Sequence, residues 1–92
     1  MKLQWTDRYE MRRIAGEFVL VPRGDWILRI REPLVINETA AEVLQMIRNG
    51  CDSKELLLGQ LCKEYEATET EITEDLNGIL KKMQQSGVLF LI

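Results

Sequence analysis

Histidine is missing from this chain of 92 residues. Its absence removes the commonest general base and the commonest metal ligand, so the expectation of an enzyme falls and no metal site is expected. Cysteine is nearly missing too. Cys51 and Cys62 fit neither a CxxC pair nor a disulfide framework and are expected to be buried free thiols. No apolar run reaches membrane-spanning length. The opening "MKLQWTDRYE" has no apolar signal core, so the expectation is a cytoplasmic protein with no membrane partner. "RGD" at 23–25 spells an adhesion tripeptide, a reading that needs secretion and is set aside.

What is present fits one small globular domain over 1–92. Hydrophobic residues make up 46% and charged residues 29%, interspersed, which suits a modest core rather than disorder. Charge is uneven: residues 1–37 carry net +2 and residues 38–92 net −5.

The first third reads as strands. Tyr9 to Ile14 and Glu17 to Val21 predict a hairpin turning at Ala15-Gly16. Pro22 ends that ladder because it has no N–H to donate. After the "PRGD" turn, Trp26 to Ile30 and Leu34 to Ile36 are expected to form one irregular third strand. Pro33 places it at a sheet edge. The period then changes abruptly. Asn37 predicts an N-cap, with a helix over Glu38 to Arg48 closed by Asn49-Gly50. Ser53 predicts a second helix, Lys54 to Glu66. Thr70 predicts a third, Glu71 to Ser86, with Ile72, Leu76, Ile79, Leu80 and Met83 on one stripe. After Gly87, "VLFLI" predicts a short strand or an apolar tail. The expected fold class is α+β, winged helix-turn-helix-like: a three-stranded antiparallel sheet followed by three helices.

Several stretches together resemble the family of pyrroloquinoline quinone biosynthesis protein D, PqqD. They are "RRIAGEFVLVP", then "INETAAEVLQMI" thirteen residues on, then "LLLGQLCKEYEAT" and "EDLNGILKKMQQSGVL". The family's Leu-Asn-Glu-Thr-like step is here Ile36-Asn37-Glu38-Thr39. Asp75 and Gly87 stand in register with the family's closing pattern. Ile36 replaces the usual Leu, and "RGDWILRIREP" does not match well.

The resemblance implies a non-catalytic recognition element for ribosomally made, later modified peptides. Such a domain acts as a peptide chaperone. It binds a precursor's leader as an added strand between the third strand and third helix, and presents the precursor to a maturation enzyme, often a radical SAM protein. With two cysteines the chain lacks a three-cysteine cluster motif, so no cofactor is expected in it and any iron–sulfur chemistry is expected to belong to the partner. Exchange of elements in a homodimer is a further expectation.

Strand addition has a physical basis, because an edge strand exposes unpaired backbone groups. On this reading Leu34, Val35 and Ile36 supply the edge, and Ile79 and Met83 an apolar wall. Asp75, Lys82 and Ser86 flank the wall on the favoured side; Thr73, Asn77 and Gln84 flank the other. Arg29 and Arg31 are candidates to attract an acidic leader. Asn37, Glu38 and Thr39 read as capping residues only, and the acidic run "EATETEITED" as helix-start acidity rather than a calcium loop.

The rival readings are a winged-helix DNA-binding protein and a structural adaptor of a modifying enzyme. The first is disfavoured because the stretch that would enter the groove of DNA, Glu69 to Ser86, has four acidic against two basic residues, whereas phosphate contacts need cations.

Overall fold

The structure, a computed structural model, describes residues 2–6, 8–30 and 32–91. The order of elements is β1 (Leu3–Trp5), β2 (Tyr9–Ile14), β3 (Glu17–Pro22), a 3-10 helix (Gly24–Leu28), β4 (Leu34–Ile36), α1 (Glu38–Arg48), α2 (Lys54–Glu64), α3 (Glu69–Gln85) and β5 (Leu89–Leu91). β2, β3 and β4 form an antiparallel sheet in that order, and β1 pairs with β5. The fold is α+β and winged helix-turn-helix-like.

Local chemistry explains most boundaries. Ala15 and Gly16 both take positive φ, 52° and 82°, as a two-residue hairpin with primed turn geometry requires. Each α-helix starts at a capping side chain. Asn37 accepts from the N–H of Ala40 at 2.7 Å, Ser53 from Leu56 at 3.2 Å and Thr68 from Glu71 at 3.2 Å. Each of these oxygens satisfies one of the orphan donors of a first turn.

The core lies between the helices and one face of the sheet. Leu20, Val43, Leu44, Leu57, Leu76, Met83, Val88 and Leu89 are fully buried within it. Ala40 and Ala41 are also buried, and their small size lets the α1 backbone come close to its neighbours. β1 is tied down by Leu3 N–H donating to the carbonyl of Asp52, and by buried Thr6 Oγ1 donating to the carbonyl of Gly87 at 2.8 Å. No described helix is long and apolar enough to cross a membrane.

Three expectations need correction. Trp26 to Ile30 is not strand. The PRGD turn continues into a 3-10 helix, with Trp26 N–H bonded to the carbonyl of Arg23 and Arg29 N–H to that of Trp26. Its apolar residues do not alternate against a neighbour, so nothing holds them extended; Ile27 and Leu28 lie 62% and 89% exposed. The third helix begins two residues early, at the Thr68 cap rather than Thr70, and the second stops at Glu64 rather than Glu66. Strand β1 lies outside every expectation drawn from sequence. Arg31, named beside Arg29, and Ile92, at the end of the terminal strand, lie outside the described residues.

Candidate functional site

The register of the sheet decides what β4 offers. Ile14 and Glu17 flank the two-residue turn and form a hydrogen-bonded pair, as such turns dictate. Pairs alternate from there, so Val19 and Val21 aim their backbone groups at β2, and Phe18 and Leu20 aim theirs at β4. Phe18 pairs with Ile36, Val19 with Val35 and Leu20 with Leu34. Val35 is therefore the middle of the edge and turns its own N–H and C=O away from β3. Among the described residues no strand pairs with that outer edge. The Val35 side chain is 56% exposed and lies on the face away from the helices. Leu34 and Ile36 point to the core face, half-buried and buried.

A groove of about 420 Å³ lies between this end of β4 and α3. Ile36, Asn37, Thr39 and Ala40 form one wall; Glu74, Asp75, Gly78, Ile79, Lys82 and Met83 form the other. A smaller cavity of about 100 Å³ adjoins it, sharing Thr39, Asp75 and Ile79 and reaching Leu61, Tyr65 and Ile72. The lining mixes apolar side chains, Ile36, Ala40, Ile79 and Met83, with charged ones: Glu74 and Asp75 toward the start of α3, Lys82 toward its end.

Of the residues named from sequence, Ile36, Asp75, Ile79, Lys82 and Met83 line one groove, with Leu34 and Val35 on the strand beside it. Arg29 does not join them. It caps the 3-10 helix, with its guanidinium 5.5 Å from the Trp26 ring centre. Sequence reasoning passes over Gly78, Glu74 and the groove-lining role of Asn37 and Thr39. Gly78 carries a signal: a glycine inside a helix costs about 1 kcal/mol relative to alanine, which invites a reason. Here the helix presents bare backbone to the groove, with nothing within 4 Å of where a Cβ would stand.

Tyr65, on the rim of the smaller cavity, donates its hydroxyl to the Glu42 carboxylate of α1. Glu64 shares that carboxylate. Hydrogen bonds from Glu64 and then Tyr65 hold the Glu42 carboxyl below its usual range, while the bond to Glu42 holds Glu64 above its own. The same carboxylate keeps the Tyr65 phenol from ionising at its ordinary pH. This cluster pins α1 to the end of α2. Of the two thiols expected to be buried, Cys51 is half-buried, and burial pushes its thiol up, which suits packing rather than reactivity; Cys62 is exposed on α2, against that expectation.

The α+β domain thus sets an unpaired sheet edge, among the described residues, beside a helical groove. Residues 17–89 match the family described as Coenzyme PQQ synthesis protein D (PqqD), and the protein belongs to that family. No curated protein sequence matches the chain. Two solved structures are similar. One is TbiB1 in complex with the TbiA(beta) leader peptide, at 17% identity and TM-score 0.74, covering 94% of this chain and 93% of that one. The other is lasso peptide synthetase B1 complexed with the leader peptide, at 20% identity and TM-score 0.77, covering 99% and 100%. At such identities the likeness establishes the fold.

Proposed function

We propose that this protein recognises the leader of a ribosomally made precursor peptide by strand addition at Val35, and presents the precursor to a maturation enzyme. The observation that carries this reading is the outward N–H and C=O of Val35, set beside a groove lined by Ile36, Ile79 and Met83. Membership of the PqqD family supports it, and both similar structures are described as leader-peptide complexes.

Backbone pairing at the edge gives affinity that depends little on sequence; each bond contributes about 0.5–1.5 kcal/mol net. The groove adds selectivity, since a side chain on alternate guest residues faces it. Arg29, Leu34, Val35, Ile36, Asp75, Ile79, Lys82 and Met83 make up the proposed peptide-binding set, extended by Thr39 and Gly78. The chain has no histidine and its groove holds no cysteine, so we assign the covalent chemistry to a partner, a radical SAM protein being the proposed class. The whole chain acts as one recognition domain, with association into a homodimer through the same edge as a secondary proposal.

The test is a titration of isotope-labelled protein with the leader peptide of the precursor encoded beside its gene, followed by NMR. Amide shifts are expected in Leu34–Ile36 and along one face of α3 from Asp75 to Met83. Shifts confined to other surfaces, or none at saturating peptide, overturn the reading.

A further inference from the structure

A cluster of arginine and aromatic side chains lies beyond the C-terminal end of α3, outside the lining of the groove. Tyr9 pairs with Pro22 at the end of the sheet, and its hydroxyl lies 3.4 Å from the carbonyl of Ser86, the cap of α3. The C-terminal end of α3 therefore sits where β3 finishes and the 3-10 helix begins, two residues on. There the Arg8 guanidinium lies over two rings, 4.3 Å from the Trp26 centre and 4.9 Å from that of Phe90. Arg29 stands 5.5 Å from the same Trp26 ring.

A guanidinium has faces and edges. Stacking on rings uses the faces and leaves the N–H groups at the edges free to donate. Among the described residues the Arg8 and Arg29 side chains make no hydrogen bond, and the ion pair present is Arg12 with Glu10. Asp25 and Glu32, the described carboxylates nearest to Arg29 in sequence, do not neutralise them. Arg8 is held in place by packing, so little rotamer entropy remains to be lost when a ligand binds. Ile27 and Leu28, which follow Trp26 in the 3-10 helix, lie exposed.

We propose that Arg8 and Arg29 form a carboxylate-recognition site that reads an acidic side chain of the bound peptide. That side chain lies on the part of the peptide that has run along β4 past Leu34 and crosses the 3-10 helix. The inference rests on the strand-addition reading above and gives it a sequence requirement. The guest carries Asp or Glu beyond the Lys82 end of the groove, while Glu74 and Asp75 disfavour acid at the other end. A planar guanidinium edge matches a carboxylate in a two-point contact, which gives geometric selectivity as well as attraction.

The experiment uses the full chain and the fluorescein-labelled leader peptide of the adjacent precursor, with each Asp and Glu replaced in turn by Asn or Gln. Affinities are measured by anisotropy for the parent protein, Arg29→Gln and Arg8→Gln. One acidic position is expected to matter: neutralising it weakens binding to the parent about three- to tenfold, a loss largely absent in Arg29→Gln. Arg29 is exposed, so its variant keeps the fold even where Arg8→Gln loosens the end of the sheet. Binding that is sensitive to Val35→Pro but shows no acidic position coupled to Arg29 overturns this inference and leaves strand addition standing. No binding to the parent overturns both.

Discussion

The guanidinium of Arg8 occupies the space that a side chain on Gly87 would fill. A Cβ built there stands 2.6 Å from Arg8 Nη1, and Gly87 has φ of +76°. The position ends α3 in a Schellman motif: Val88 N–H donates to the Met83 carbonyl at 2.9 Å and Gly87 N–H to that of Gln84 at 3.2 Å. Gly87→Ala therefore meets both left-handed strain and a displaced arginine. It is expected to lower stability by about 1–2 kcal/mol in urea unfolding. It is also expected to weaken the preference for an acidic guest, because the Arg8 guanidinium must shift from its place over the Trp26 and Phe90 rings. A variant as stable as the parent would contradict this account of the cap.

Val35→Pro tests the edge directly. Its N–H points away from β3, so proline there deletes the donor offered to a guest without removing a bond of the existing ladder. The folded spectrum is expected to persist by circular dichroism, with leader-peptide affinity falling at least about tenfold. Proline at Leu34 or Ile36 removes a bond to Leu20 or Phe18 instead, and is expected to unfold the edge. Equal peptide affinity in Val35→Pro and the parent would count against strand addition at this site.

How much of the molecule is readable from sequence follows from the range of the forces involved. Helix α1 is legible to the residue, because Asn37 and the Asn49-Gly50 stop are local devices flanking a clear helical stripe. The hairpin is legible for the same reason. The start of α3 is misplaced although the signal exists: Thr68-Glu69-Thr70-Glu71 carries the Thr-x-x-Glu spacing of a capping box, and Thr70 does not. Strand β1 is not legible. Three residues show no period, and their place is set by contacts with Leu89–Leu91 at the other end of the chain. Trp26–Ile30 misleads because apolar, β-prone residues suggest a strand, but a strand needs a neighbour, and Trp26 takes arginines as its neighbours instead. The groove is half legible. The stripe on α3 names Ile79 and Met83, but no spacing reveals that Arg8 meets the ring of Phe90. The pairing of β1 with β5 brings those two ends of the chain together.

Gly78→Ala separates stability from function. The position is helical, has room for a methyl group and lines the groove. Alanine is expected to stabilise the protein by about 0.5–1 kcal/mol through the unfolded chain. The bulkier Gly78→Leu projects into the groove and is expected to weaken leader binding while unfolding at a denaturant concentration no lower than the parent. Urea midpoints and anisotropy on the same samples decide it. Parent-like affinity in Gly78→Leu would mean that the guest does not pass this face of α3.

Glu64 carries the remaining prediction. Its bond to Glu42 holds its carboxyl above the usual range, so the fold favours the protonated form. The sign follows. Stability from protonated Glu64 is present below its unfolded value and is lost as pH rises through the folded one. At neutral pH, ionised Glu64 faces ionised Glu42, and the two repel. Glu42 moves the other way: held low by Glu64 and Tyr65, it contributes stability above its ordinary range that disappears as pH falls through its folded value. Glu64→Gln removes the repulsion yet keeps a donor for the Glu42 carboxylate. The melting temperature is expected to rise at about pH 7, and the gain to shrink toward acid as Glu64 of the parent takes up its proton. Tyr65→Phe in the same background should cancel part of the gain, because the phenol is the other donor that fixes Glu42. A gain that persists unchanged to the acid end would show that the introduced amide acts through helix propensity in α2, not through the carboxylate pair.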